Sequence, residues 1–154
     1  KIDLERVGLE GHSQGGAGCL TELSISPYKD YFKTAVALSP THEEMAHAFG
    51  WLYELDKIDV PVLMMAGTET DFETQSVIPI EKMNEMFNKI PASDKAMARR
   101  IGADHGMMLY TADGYATAWL MWQLQGDQEA AKAFTGDNPE LLNNLLYQDQ
   151  KINN

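Results

Sequence analysis

The stretch from Val7 to Gly16, Val-Gly-Leu-Glu-Gly-His-Ser-Gln-Gly-Gly, constrains the fold more than any other. An extended, apolar-led segment runs into a serine bracketed by glycines, and a helix-forming segment, Ala17 to Leu23, follows at once. The spacing is G-x-S-x-G, the pattern of a nucleophile on a sharp strand-to-helix turn, where the serine backbone is held in an unfavourable conformation and its hydroxyl is exposed at the sheet edge. Ser13 is therefore the candidate nucleophile. The backbone N–H of Gln14, at the helix start, is the expected first donor to an oxyanion.

The rest of the chain alternates strand and helix patterns. Strands are expected from Arg6 to Glu10, Thr34 to Ser39, Val62 to Ala66 and, on a weaker alternation, Lys95 to Ile101. Short apolar runs separated by helical periods are the signature of a parallel sheet covered on both faces. Helices are expected over 14–24, within 41–59, over 80–89 and over 112–124; Ala17, Leu20 and Leu23 fall on one face of the first, and Tyr115, Trp119 and Trp122 on one face of the last. Two short helices are expected to close the chain as a helical extension, 127–154, of the same domain. The second takes Asn138 as cap and Pro139 as first helical residue, buries Leu141, Leu142, Leu145 and Leu146, and frays from Lys151 onwards.

Each expected strand after the first delivers polar residues to its carboxyl end, where open parallel sheets bind ligands. Ser39, Thr41 and His42 follow the second strand, Gly67-Thr68-Glu69-Thr70-Asp71 the third, and Asp104-His105-Gly106 the fourth. A serine hydroxyl is a weak nucleophile near neutral pH and needs an imidazole to take its proton, which in turn needs a carboxylate on its other nitrogen. The order Ser13, Asp71, His105 meets this requirement. Glu69, in the same loop, is the second choice for the acid; Asp104 would have to curl back on its own neighbour. His12 is read as packing or hydrogen bonding beside the turn. Thr41 and His42 are candidate substrate contacts, with His42 and His47 at the surface or a pocket rim. No His, Cys or acidic cluster has metal-ligand spacing, and no cofactor is expected.

Composition narrows the partners. With 154 residues, 44% of them hydrophobic, the chain can bury one core, and the formal net charge of −11 disfavours nucleic acid and anionic membrane. No apolar run is long enough to span a bilayer. Cys19 is the sole cysteine, which excludes an internal disulfide and leaves the compartment undecided. It is expected in the core.

The turn arrives almost at the first residue, whereas a doubly wound sheet places several strands before its nucleophile. The expectation is the C-terminal half of a doubly wound, mostly parallel α/β sheet that starts at the nucleophile strand. A missing N-terminal half, or a second chain, is expected to pair with the strand from Arg6 to Glu10. The second oxyanion donor is expected from that part too, since no H-G-G run precedes Ser13.

The segments Gly11-His12-Ser13-Gln14-Gly15-Gly16, Gly67-Thr68-Glu69-Thr70-Asp71 and Asp104-His105-Gly106 resemble the α/β-hydrolase family over nearly all of the chain. Val60 to Gly67, with a short connection before it, looks like the lidless branch of cutinases and dienelactone-hydrolase-like enzymes. The resemblance implies hydrolysis of carboxylic esters, with Ser13 as nucleophile, Asp71 as acid and His105 as base. The chain departs from polyester-degrading cutinases in carrying Thr41-His42 where they have a tryptophan and in lacking their C-terminal cysteine pair, so a small or medium acyl ester is the expected substrate. Thioesterase, peptidase and polyester hydrolase activities use the same three residues. The alternative of another class is a fragment that keeps the residues but acts as a binding or assembly module.

Overall fold

The computed structural model describes residues 3–153, so Lys1, Ile2 and Asn154, which fall in the expected terminal segments, lie outside the described residues. Five strands form one sheet in the order β1 (Val7–His12), β2 (Phe32–Leu38), β3 (Val62–Gly67), β4 (Lys95–Arg100) and β5 (Tyr147–Asn153). The first four are parallel and β5 is antiparallel to β4. The helices are α1 (Gln14–Ser24), α2 (Glu43–Ala48), α3 (Ile80–Lys89), α4 (Met108–Thr111), α5 (Asp113–Gln125), α6 (Gln128–Ala131) and α7 (Glu140–Asn143). This is an α/β fold.

Successive strand residues point to opposite faces, and here both faces are apolar. Ala35, Ala37, Val62, Met64, Ala66 and Met97 face a core completed by Leu20 and Leu23 of α1 and by Met83, Met86 and Phe87 of α3. Val36, Leu38, Leu63, Met65, Ala96 and Ala98 face a second core, built around Trp119 of α5 and Phe134. One buried polar chain crosses the interior: Trp119 Nε1–H donates to Thr34 Oγ1 at 2.7 Å, and that hydroxyl donates to Pro61 O at 2.8 Å. Cys19 is buried and unpaired, as expected, and burial pushes its thiol up to about 11.

β1 differs from its neighbours. Every residue of β3 is buried, whereas those of β1 are half-buried or exposed, and among the described residues β1 pairs on one side only, with β2. Among the described residues it is an edge strand.

The C-terminal expectation needs correction. Residues 127–154 are not a purely helical extension, because α7 is a single turn and the chain then returns as β5. Leu141 is buried, but Leu142, Leu145 and Leu146 are 44%, 90% and 55% exposed. One turn buries one face, and the chain leaves the helix before the later leucines can turn inward. Far from fraying, Lys151 pairs with Met97 and Ile152 with Ala96.

Candidate active site

The turn at Ser13 is built by two constraints. Ser13 has φ 60° and ψ −120°, a left-handed conformation that side chains other than glycine rarely adopt, and its N–H is held by Leu38 O at 2.9 Å. The first glycine of the motif is sterically required: a β carbon on Gly11 would stand 2.2 Å from the backbone oxygen of Gly15. The second glycine, Gly15, has open space where a β carbon would go. Collision thus explains one of the two flanking glycines. As the first residue of α1, Gln14 carries an N–H with no acceptor inside the helix, at the positive end of an eleven-residue dipole.

At the other end of the site a second close approach fastens the acidic loop to the histidine loop. A β carbon on Gly67 would lie 2.2 Å from Ala103 O, and that same carbonyl accepts from the N–H groups of Thr68 at 2.9 Å and Glu69 at 3.0 Å. Only glycine lets the end of β3 pass so near the chain that carries His105.

His105 Nδ1 lies 2.6 Å from a carboxylate oxygen, and the carboxylate is Glu73, not Asp71. Thr70 takes φ 66°, and the chain then winds into a wide π-helical turn, Phe72–Val77, in which Ile78 N–H bonds back to Glu73 O. Asp71 sits at the head of this turn, exposed, accepting from Gln75 Nε2 at 2.8 Å. Two residues on, Glu73 faces inward and is fully buried. Glu69 is exposed with Thr68 Oγ1 at 3.4 Å, and Asp104 Oδ1 accepts from Met107 N–H at 2.9 Å, so neither meets His105.

A buried carboxylate needs donors. Glu73 Oε1 accepts from Ser39 Oγ at 2.6 Å and from Gly67 N–H at 2.7 Å, leaving Oε2 for the imidazole. Ser39 is itself fully buried with φ 41°, and its N–H bonds to Met65 O at 2.6 Å. Since a carboxylate only accepts, the proton of the short contact sits on His105 Nδ1, and Nε2 is the nitrogen able to receive another. The Phe72 ring, 55% exposed, stands edge-on to His105 with centroids 5.0 Å apart.

Ser13 and His105 are brought to the same edge through His12. The His12 ring lies 4.4 Å from that of His105 between centroids, and its Nε2 is 2.7 Å from His105 O. The Ser13 hydroxyl itself has no hydrogen bond among the described residues. Thr41 and His42 are 3% and 9% exposed, so the expected rim position of His42 is not found. His42 N–H is tied to Val77 O at 2.9 Å, which draws the residue inward just before α2 begins. Burial and the nearby Lys82 ammonium lower the His42 imidazole from its ordinary value. Among the described residues no three His, Cys, Asp or Glu side chains form a group suited to a metal ion, and no helix is long and apolar enough to cross a membrane.

Sequence reasoning missed Glu73. No mark in the residue order separates it from Asp71, because the π-helical turn alone faces Glu73 inward and Asp71 outward.

The chain is similar to two cutinases. Over 125 residues, 78% of its length, it is 33% identical to cutinase est1 of Thermobifida alba, and over 124 residues it is 30% identical to cutinase est2 of the same organism. The matches cover 37% and 36% of those proteins, so the chain spans little more than a third of the relatives' length. No family model matches it.

Proposed function

We propose that this chain carries the catalytic residues of an α/β-hydrolase-type serine ester hydrolase, with Ser13 as nucleophile, His105 as base and Glu73 as the acid that orients it. The observation that carries the reading is the pairing of a strained serine turn with an imidazole whose Nδ1 is held 2.6 Å from a fully buried carboxylate. The similarity to two cutinases supports an ester as the substrate.

In this reading Ser13 Oγ attacks the ester carbonyl as His105 Nε2 takes its proton. The imidazolium that forms is stabilised by Glu73 across Nδ1–H, while Ser39 Oγ and Gly67 N–H keep that carboxylate in place. The oxyanion is met by Gln14 N–H at the start of α1. His105 returns the proton to the leaving alcohol, leaving an acyl group on Ser13. Water, activated by the same imidazole, releases the acid. The substrate class is a small or medium acyl ester; the exposed Phe72 beside His105 offers an apolar surface to one side of it.

The test is hydrolysis of a chromogenic short-chain ester, together with labelling by a fluorophosphonate probe. Wild-type protein should react in both assays, and Ser13→Ala and His105→Ala in neither. Labelling that survives Ser13→Ala would overturn the assignment, and a wild-type protein inert in both assays would favour a binding module.

A further inference from the structure

β1 and β4 are separated by two strands, so the roots of Ser13 and His105 start three inter-strand spacings apart, about 14 Å. The histidine loop must reach back along the carboxyl edge of the sheet to close that gap. Its near side is fixed by Ala103 O, which binds the N–H groups of Thr68 and Glu69. Its far side meets the nucleophile turn at one hydrogen bond among the described residues, His12 Nε2 to His105 O.

We propose that His12 is a positioning residue: its Nε2–H, bonded to the carbonyl of His105, sets the distance between the His105 imidazole and the Ser13 hydroxyl. A carbonyl can only accept, so His12 Nε2 is the donor and carries a proton. The ring is also packed against that of His105 at 4.4 Å, so the bond fixes the imidazole and the backbone that bears it as one unit. His12 adjoins Ser13 in sequence, and any movement of the turn is therefore passed to the base. Burial holds the His12 imidazole below its ordinary value, with the neighbouring His105 ring acting the same way and the hydrogen bond to His105 O and the Glu73 carboxylate acting against it. A neutral ring is what the site needs there, because a second cation at this distance would oppose the imidazolium formed in the reaction.

The inference rests on the proposed roles of Ser13 and His105, and the experiment separates the two. In the intact protein, His12→Gln and His12→Asn are compared for kcat, KM and thermal midpoint. A glutamine amide nitrogen reaches the position of histidine Nε2, whereas that of asparagine stops near Nδ1. His12→Gln should keep kcat within about 3-fold, and His12→Asn should lose roughly 10 to 100-fold in kcat, the scale of a misplacement near 1 Å, with KM changed little. Thermal midpoints of the two variants should be close, which a purely structural role coupled to activity would not give. Equal kcat in the two variants overturns the inference. Activity that survives Ser13→Ala or His105→Ala overturns instead the functional reading beneath it.

Discussion

Glu73 Oε2 stands 2.6 Å from His105 Nδ1, and the other oxygen of the same carboxylate takes hydrogen bonds from Ser39 Oγ and Gly67 N–H. The carboxylate is thus gripped from the residue that follows β2, from the end of β3 and from the histidine loop at once. Its orientation is set by three separate elements of the sheet edge, and each can be tested alone.

Replacing the acid is the most direct test. Glu73→Gln keeps the shape but can present an amide N–H to Nδ1, which favours the wrong imidazole tautomer, and turnover should fall by about 10⁴-fold. Asp71→Asn removes a charge bonded only to exposed Gln75, so its turnover should stay within about 2-fold of wild type, the scale expected of a surface change. Steady-state ester hydrolysis decides; a larger loss at Asp71 would return the acid to that residue.

Ser39 combines a buried hydroxyl with a left-handed backbone, and the two contributions separate by substitution. Ser39→Ala leaves the Glu73 oxygen short of a donor and keeps the unfavourable φ, with an expected loss of about 1 to 3 kcal/mol. Ser39→Gly loses the same hydroxyl but relaxes φ, since glycine takes the left-handed region freely. Chemical denaturation should rank wild type first, Ser39→Gly second and Ser39→Ala last.

The two glycines of the serine motif should respond in opposite directions. Gly11→Ala forces a β carbon onto the Gly15 carbonyl at 2.2 Å, and backbone must move to admit it. Gly15→Ala meets nothing within 4 Å and lies inside α1, where alanine exceeds glycine in helix propensity by roughly 1 kcal/mol. Thermal melts should show Gly11→Ala lowered and Gly15→Ala raised; a fall in both would mean that the turn needs two glycines for another reason.

Much of this architecture is legible in the amino-acid order, and the exceptions share a cause. β3 is buried along its whole length and β2 from Thr34 onwards, so these stretches are mostly apolar, and the helices that cover them show a 3.6-residue period. β5 carries no such mark. Its residues read Tyr-Gln-Asp-Gln-Lys-Ile-Asn, because an edge strand has one neighbour and tolerates polar side chains, and Asp149 at φ 57° breaks the alternation where it pairs with Arg99. At the proposed site, Ser13 and His105 are the residues that motif and order single out. Glu73 is not among them, since the choice among three acids in five residues depends on the π-helical turn that faces Asp71 outward and Glu73 inward. A turn of that kind has no distinctive composition.

The last prediction concerns acid sensitivity. His42 is buried, its Nδ1 has no hydrogen-bond partner among the described residues, and burial lowers its imidazole from the ordinary 6.5, with Lys82 acting in the same direction and Glu44 against it. A histidine depressed in the folded state binds its proton less readily than the unfolded chain does. Its contribution to stability is therefore fully present above pH 6.5 and is lost as pH falls from there through the lower folded value. His42→Gln cannot titrate, so that part of the acid dependence should disappear. Thermal midpoints measured from pH 7.5 down to pH 5, values bracketing an unperturbed imidazole at about 6.5, should fall more steeply for wild type than for His42→Gln. The curves should run parallel above that range, where the imidazole is neutral in both folded and unfolded chains. His12 is depressed as well and contributes to wild type and variant alike, so the difference between the two curves belongs to His42. Identical slopes below pH 6.5 would mean that the His42 ring charges in the folded protein as easily as in the unfolded one.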